Sequence, residues 1–178
     1  MPVKGQKFID PQTGDTSEFI ETAKETGGKY VKVKWTMKPG GIKVVKHMHP
    51  GFDETFEVIS GKLTWEESDK KGKTGAGETI TLKKGLNHVH NNEENEDLVM
   101  YQTFSPALDT DYLVETISWL SANGKWKGGQ PAFLQAMLWG QTLQCKTYLA
   151  SIPRPVQDVL SVLLAPVAKM FGYKTYYS

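Results

Sequence analysis

The stretch that decides the fold is GIKVVKHMHPGFDETFEVISG, residues 41–61, followed after a polar interval by GETITLKKGLNHVHNN, residues 77–92. These two segments contain all four histidines of the chain, which are His47, His49, His88 and His90. Neutral imidazole is a good ligand for Zn, Cu, Fe and Ni, and a carboxylate such as that of Glu54 extends the range to Mn. The clustering therefore predicts a divalent-metal site built from both segments.

The spacing of these residues explains how distant positions could share one ion. Side chains alternate along a strand, so His47 and His49 point to the same side of a sheet. Glu54 begins a second run of alternating apolar residues, and its parity places the carboxylate on the inward face. His88 follows a turn signal and lies on a later strand. Three nitrogens and one oxygen leave positions open on a six-coordinate metal, and an open position is typical of catalytic sites.

The first segment carries a resemblance to the cupin superfamily of small jelly-roll barrels. Its motif has Gly41, five residues, the pair His47 and His49, four residues, Glu54, six residues and Gly61. Every spacing of the superfamily's first motif is matched. The resemblance covers about residues 30–105 and implies a jelly-roll barrel over this part of the chain.

The second segment matches the second motif of the same superfamily. Gly77, Gly85, His88 and Asn92 stand at the motif's spacings, and Lys83 replaces its proline. That replacement affects a turn and not a ligand. The resemblance implies that the ligands of a divalent transition metal (Fe, Mn, Ni or Zn) are His47, His49, Glu54 and His88.

The role of His90 stays open between two alternatives. It shares the parity of His88, so it could replace His88 as a ligand or lie behind the ligands and contact them. Three polar residues, Glu57, Tyr101 and Gln102, are further candidates to contribute to the site, without an assigned role.

Composition excludes several classes of partner and site. The net charge of +1 gives no electrostatic basis for binding nucleic acid. A single arginine, Arg154, almost excludes a bidentate arginine clamp on a phosphate or carboxylate. One cysteine, Cys145, fits a reducing cytosol. Residues 1–7 lack the apolar core of a signal peptide, and no apolar run is long enough to span a membrane. We therefore expect a cytoplasmic protein without nucleic-acid or membrane partners.

The expected fold is mainly β, with a jelly-roll barrel over residues 1–108. Short alternating runs separated by glycine turns predict strands, and these are Tyr30–Lys38, Ile42–His49, Glu54–Ile59, Lys62–Glu67, Glu78–Leu82, a strand carrying His88 and His90, and Leu98–Ser105. Asp69–Lys73 is expected as a polar loop. Ser17–Glu25 is ambiguous between a short helix and an early strand, and we favour the strand. The inward apolar residues, as pocket lining or as core, are Trp35, Met37, Phe56, Val58 and Trp65.

Residues 109–178 are expected to form a C-terminal helical appendage. The pattern predicts helices at Asp111–Ala122, Ala132–Ala150 and Val156–Phe171, the last bent or interrupted at Pro166, with a loop over Lys125–Pro131. These helices are too apolar to stay free, so we expect them to pack on the barrel or on a second subunit of a homodimer. A membrane-surface role is disfavoured because their polar faces lack lysine and arginine enrichment.

Two hypotheses for function remain at this stage. The first is a metal-dependent enzyme that acts on a small, partly apolar molecule, with a dioxygenase expected before an isomerase. Imidazole-rich open sites suit the redox chemistry of Fe, Mn or Ni. The second is a non-catalytic module that binds a small molecule, with the metal as a brace or as an anchor for the ligand. The lack of an obvious acid or base beside the ligands favours the second.

Overall fold

The computed structural model of the chain describes residues 2–126 and 131–178, and its strands form two antiparallel sheets. The larger sheet has six strands, in the spatial order β1 (Lys7–Ile9), β2 (Thr16–Glu21), β3 (Val31–Met37), β10 (Leu98–Ser105), β5 (Asp53–Ser60) and β8 (Thr79–Leu82). The smaller sheet has five, in the order β11 (Tyr148–Leu149), β4 (His47–Met48), β9 (His88–Asn91), β6 (Lys62–Glu67) and β7 (Lys70–Gly75).

The helices are short at the N-terminus and longer after the last strand of the larger sheet. They are α1 (Ala23–Thr26), α2 (Thr110–Ala122), α3 (Phe133–Thr142) and α4 (Arg154–Met170). The mainly β fold with a helical C-terminal segment is therefore confirmed, and the expected barrel takes the form of two sheets. In the part of the chain that the structure describes, no helix has the length and hydropathy needed to cross a membrane.

Among the residues described, three apolar clusters hold the sheets and helices together, and the smallest joins Leu138 of α3 to Ala165 and Ala168 of α4. One lies between the sheets and contains Phe56, Leu63, Leu82, Leu98 and Met100 with their neighbours, all almost fully buried. The third joins β2, β3 and β10 to the C-terminal segment, because buried side chains from both regions meet there. Its members include Phe19, Val33, Phe104, Val114, Leu120, Trp139 and Leu143.

Residues 42–46 are not the strand that the alternation predicts, and β4 contains only His47 and Met48. Side chains take the place of a neighbouring strand here. The Ile42 amide donates to Asp15 Oδ2 at 2.7 Å, and the Val44 amide donates to Asn91 Oδ1 at 2.7 Å. The backbone is thus satisfied without a ladder of sheet hydrogen bonds.

The polar stretch after β6 is a strand and not a loop. β7 (Lys70–Gly75) pairs with β6 over six residue pairs and lies at the edge of the smaller sheet. Its lysine-rich composition is a common feature of edge strands, where charge discourages pairing with other chains. Ser17–Glu25 contains both predicted alternatives, since β2 ends at Glu21 and α1 follows.

The C-terminal helices differ from expectation at two points. α3 ends at Thr142 and not at Ala150, because the Asp109 carboxylate accepts the Gln144 and Cys145 amides at 3.0 and 2.7 Å. The chain then forms β11, which pairs with β4. α4 runs without interruption past Pro166. Of the predicted loop over Lys125–Pro131, residues 127–130 lie outside the described residues.

Candidate metal centre

Four predicted ligands converge at the junction of the two sheets. β4 and β9 pair so that His47 stands opposite His88, and His49 follows immediately after β4. Glu54 comes from β5 in the larger sheet, where its side chain points inward with those of its apolar neighbours. One potential ligand atom from each of the four residues lies within 4.8 Å of the others. All four side chains are buried.

The separations within this group leave room for an ion. His49 Nε2 lies 3.4 Å from Glu54 Oε1, and His88 Nε2 lies 3.4 Å from Glu54 Oε2. Metal–ligand bonds of about 2.0–2.2 Å put adjacent ligand atoms roughly 3.0–3.5 Å apart. These atoms are therefore spaced as neighbouring ligands of one metal would be.

The hydrogen bonds of the imidazoles also fit metal binding. His47 Nδ1 lies 2.6 Å from the Val45 carbonyl oxygen, and His88 Nδ1 lies 3.0 Å from the Leu86 carbonyl oxygen. Each Nδ1–H donates to its carbonyl, so each Nε2 keeps a free electron pair for a metal. His49 Nε2, His88 Nε2 and Glu54 Oε2 are buried and have no hydrogen-bond partner among the described residues. Buried polar atoms without partners are rare, and a bound ion would satisfy them.

The electrostatics of the group favour a cation. Burial, reinforced by the charge of His49, lowers the pKa of His47 from 6.5 to about 3. Burial alone would raise the pKa of Glu54, but the adjacent imidazoles, the charge of His49 first among them, bring it well below 4.5. At neutral pH the site therefore offers the neutral nitrogen of His47 beside the ionised carboxylate of Glu54, which is the protonation state that metal binding requires of these two groups.

One of the three polar candidates from the sequence reaches the site. Gln102, buried on β10, donates from Nε2 to Glu54 Oε1 at 3.1 Å. Glu57 instead pairs with Lys32 at 2.9 Å, and the Lys32 ammonium also lies over the ring of Tyr101. Gln102 thus holds the Glu54 carboxylate, and the other two lie elsewhere.

His90 lies beside the four predicted ligands and is not one of the converging set. Its ring packs on Phe56, with ring centroids 4.5 Å apart, and its centroid is 6.4 Å from that of His47. Burial lowers its pKa to about 4, so the ring is neutral near pH 7. Its Nδ1 is buried and has no partner among the described residues. This geometry favours the role beside the ligands over that of replacing His88.

A cavity of about 680 Å³ opens next to the group. His47, His49, Glu54 and His90 line it on the side of the metal centre. The rest of the wall is mostly apolar and comes from the sheets, α2, α3 and the residues around β11. The larger contributors are Trp35, Met37, Met100, Phe104, Ile117, Trp126, Trp139 and Leu143. Of the predicted inward residues, Phe56, Val58 and Trp65 pack in the core between the sheets instead.

One contact of the centre has no counterpart in the predicted set. The Thr147 hydroxyl lies 3.0 Å from His49 Nδ1 and comes from the C-terminal segment, 98 residues away along the chain. The sequence around Thr147 contains no metal-site motif, so only the three-dimensional fold shows this contact.

The fold and the converging histidines define the class of protein. Residues 33–104 match the family model described as "Cupin domain". The resemblance to the superfamily is thereby confirmed. None of the curated proteins matches the chain.

Several solved structures of low sequence identity are similar to part of this chain. A predicted oxalate decarboxylase from Thermotoga maritima has 17% identity and a TM-score of 0.50, with 60% of this chain and 99% of that chain covered. KdgF from a Halomonas species has 18% identity and a TM-score of 0.49, over 58% and 90%. An uncharacterised protein with a double-stranded β-helix domain from Klebsiella pneumoniae has 21% identity and a TM-score of 0.44, over 60% and 83%.

Proposed function

We propose that this protein is a metal-dependent enzyme that acts on a small, partly apolar molecule. The observation that carries the proposal is the buried group of His47, His49, Glu54 and His88, which adjoins a mostly apolar cavity. The metal would be a divalent transition ion, Fe, Mn, Ni or Zn, because the donor set is three imidazoles and one carboxylate.

Different residues would have different roles at this site. His47, His49, Glu54 and His88 would hold the ion, and Gln102 would keep the Glu54 carboxylate in place. A bound divalent metal would supply Lewis acidity toward a carbonyl or enolate oxygen, or redox chemistry with dioxygen. The apolar wall would exclude bulk water and bind the apolar part of the substrate. Oxygenation is our first choice of reaction, before isomerisation.

The cavity restricts the substrate class. Its volume of about 680 Å³ suits a small organic molecule, since ligand pockets commonly occupy about 300–1,000 Å³. Arg154, the only arginine of the chain, is not among the lining residues described. A substrate with two carboxylates would therefore lack a bidentate clamp, whereas one with a carbonyl or hydroxyl and an apolar body would fit.

A non-catalytic module that binds a small molecule is the second candidate. The observation in its favour is that, among the described lining residues, the one carboxylate besides Glu54 is already engaged by backbone amides. Asp15, a lining carboxylate, is engaged by the amides of Lys38 and Ile42 at 2.6 and 2.7 Å. In such a module the metal would anchor the ligand, and no covalent bond of the ligand would be formed or broken.

Oxygen uptake distinguishes the two candidates. Protein loaded with Fe²⁺, Mn²⁺ or Ni²⁺ is incubated with diketones, flavonols and thiols under air and under argon. If the protein is an oxygenase, at least one compound should cause oxygen consumption. The His47→Ala variant should then consume no oxygen with the same compound. Saturable binding without consumption or isomerisation of any compound would favour the module.

We also propose that two copies of the chain associate through the outer face of α4. The inner face of this helix is small or polar, with Gln157, Ser161, Ala165 and Ala168 buried. The exposed side carries the larger apolar residues Val156, Val159, Val162, Leu163 and Met170, and the exposed Phe171 follows at the C-terminal end of the helix. Binding of this face to a membrane surface is less favoured, because Arg154 and Lys169 alone supply basic charge along α4. The single, buried Cys145 is compatible with a cytoplasmic location, which we retain as a proposal.

A further inference from the structure

The three histidines of the metal centre are oriented by different kinds of contact. The Nδ1 atoms of His47 and His88 each face the carbonyl oxygen two residues earlier, so their own strands fix these rings. His49 Nδ1 faces the hydroxyl of Thr147 at 3.0 Å. One imidazole of the centre therefore depends on a side chain from the C-terminal segment.

The segment that carries Thr147 is fixed on the side of the metal centre. β11 follows Thr147 directly and pairs with β4, with Leu149 opposite His47. The Ala150 amide extends this pairing by donating to the Lys46 carbonyl at 3.0 Å. The chain around Thr147 is thus attached to the strand that provides the histidine pair.

Two further side chains fix the same segment from the helical side. The buried Gln157 of α4 accepts the Leu149 amide at 3.0 Å and donates to the carbonyls of Leu149 and Ile152 at 2.9 and 2.7 Å. Asp109 accepts the amides of Gln144 and Cys145 just before Thr147. The position of the hydroxyl is therefore set by the fold and does not depend on a mobile end of the chain.

We infer that Thr147 is a positioning residue for the metal centre. Through this residue the C-terminal segment contributes to metal binding. Its hydroxyl accepts the Nδ1–H of His49, which keeps Nε2 free for the ion and fixes the ring plane. The inference rests on the proposed metal site and goes beyond it, because it assigns a role in metal binding to a residue outside the cupin domain.

The test compares metal affinity among matched threonine variants. Thr147→Val removes the hydroxyl at nearly constant size, and Thr147→Ser keeps it. Thr142→Val removes a hydroxyl in the same C-terminal segment that donates to the Leu138 carbonyl, accepts from the Thr175 hydroxyl and has no hydrogen bond to a predicted ligand. The Kd for Zn²⁺ is measured by competition titration, the visible spectrum is recorded with Co²⁺, and thermal unfolding of each metal-free variant checks its fold.

We expect Thr147→Val to weaken Zn²⁺ binding by about 10–100-fold and to change the Co²⁺ spectrum, as is usual for loss of a contact behind a metal ligand. Thr147→Ser and Thr142→Val should bind Zn²⁺ like the unaltered protein. Unchanged affinity and spectrum in Thr147→Val would overturn the inference and leave the metal site intact. An equal loss in Thr142→Val would also overturn it, by showing a general effect on the segment. Failure of the unaltered protein to bind either metal would instead remove the proposed site itself.

Discussion

Burial of the histidines makes the metal-free protein sensitive to acid. The pKa of His47 falls to about 3 and that of His90 to about 4, whereas an unfolded chain has histidines near 6.5. Between these values the unfolded state binds more protons, so stability declines as the pH falls from about 6.5. Glu54 acts in the same direction below 4.5, because its pKa is lowered in the folded state.

We predict that the free energy of unfolding of metal-free protein drops by about 1.4 kcal/mol per pH unit for each such histidine. Urea titrations between pH 7 and pH 4.5 measure the slope. The variant His90→Gln should have a shallower slope, since one of the buried groups is gone. A slope equal to that of the unaltered protein would contradict the burial of a neutral His90.

The sequence predicts the four proposed ligands because they stand at the spacings of the two superfamily motifs. Strand parity brings His47 and His49 to one face, and the motif adds Glu54 and His88. Thr147 was not accessible, since a hydrogen bond across 98 residues leaves no local pattern. The sequence makes Gln102 a candidate, but its contact with Glu54 follows from the pairing of β5 with β10 and has no local pattern.

At the scale of elements, the packing of α3 against α4 depends on a glycine. A Cβ on Gly140 would collide with the hydroxyl of Ser161 and approach its Cβ to 3.3 Å. Alanine normally stabilises a helix by about 1 kcal/mol relative to glycine. Here we expect the opposite sign, because overpacking costs about 1–3 kcal/mol.

The prediction is that Gly140→Ala lowers the free energy of unfolding and that Ser161→Ala in the same chain restores part of the loss. Chemical unfolding of the two single variants and the double variant gives the coupling between the sites. If Gly140→Ala stabilised the protein, the two helices would not approach each other as closely as described.

The elements that the sequence predicted well are those with a buried apolar face. β3, β5 and β10 alternate between inward and outward residues and lie close to their predicted bounds. β7 is a lysine-rich edge strand without a buried apolar face. Its sequence therefore shows no alternation of apolar and polar residues from which a strand could be predicted. β11 is two residues long and depends on β4 as a partner, so local propensity cannot reveal it.

At the scale of the whole molecule, the exposed apolar face of α4 favours a dimer. Leu163 is 63% exposed and Met170 is 85% exposed, although both belong to an apolar stripe. Symmetric dimers are the commonest oligomers and use one self-complementary patch twice. Such a patch would be covered when two α4 helices meet.

We predict a dimer for the unaltered chain in sedimentation velocity and a monomer for Leu163→Glu, since a buried unpaired charge opposes association. Gln141→Glu adds the same charge at an exposed position of α3 and not on α4, and this variant should stay dimeric. A monomeric unaltered chain, or a dimer that survives Leu163→Glu, would contradict association through this face.

The cavity is formed jointly by the two parts of the chain, because residues from both sheets and from the helices that follow them line its wall. The division of the chain at residue 108 remains a prediction. Phe52 and Phe104 nevertheless share one apolar cluster with Trp139 and Leu143. A ligand in the cavity would therefore contact both parts of the chain.

The most direct measurement is the metal content of protein purified without a chelating resin, determined by elemental analysis and repeated after dialysis against Zn²⁺ or Mn²⁺. The convergence of His47, His49, Glu54 and His88 predicts one divalent ion per chain, lost in the His88→Ala variant. A chain that retains no stoichiometric metal under these conditions, or that retains it equally in His88→Ala, would contradict the proposed centre.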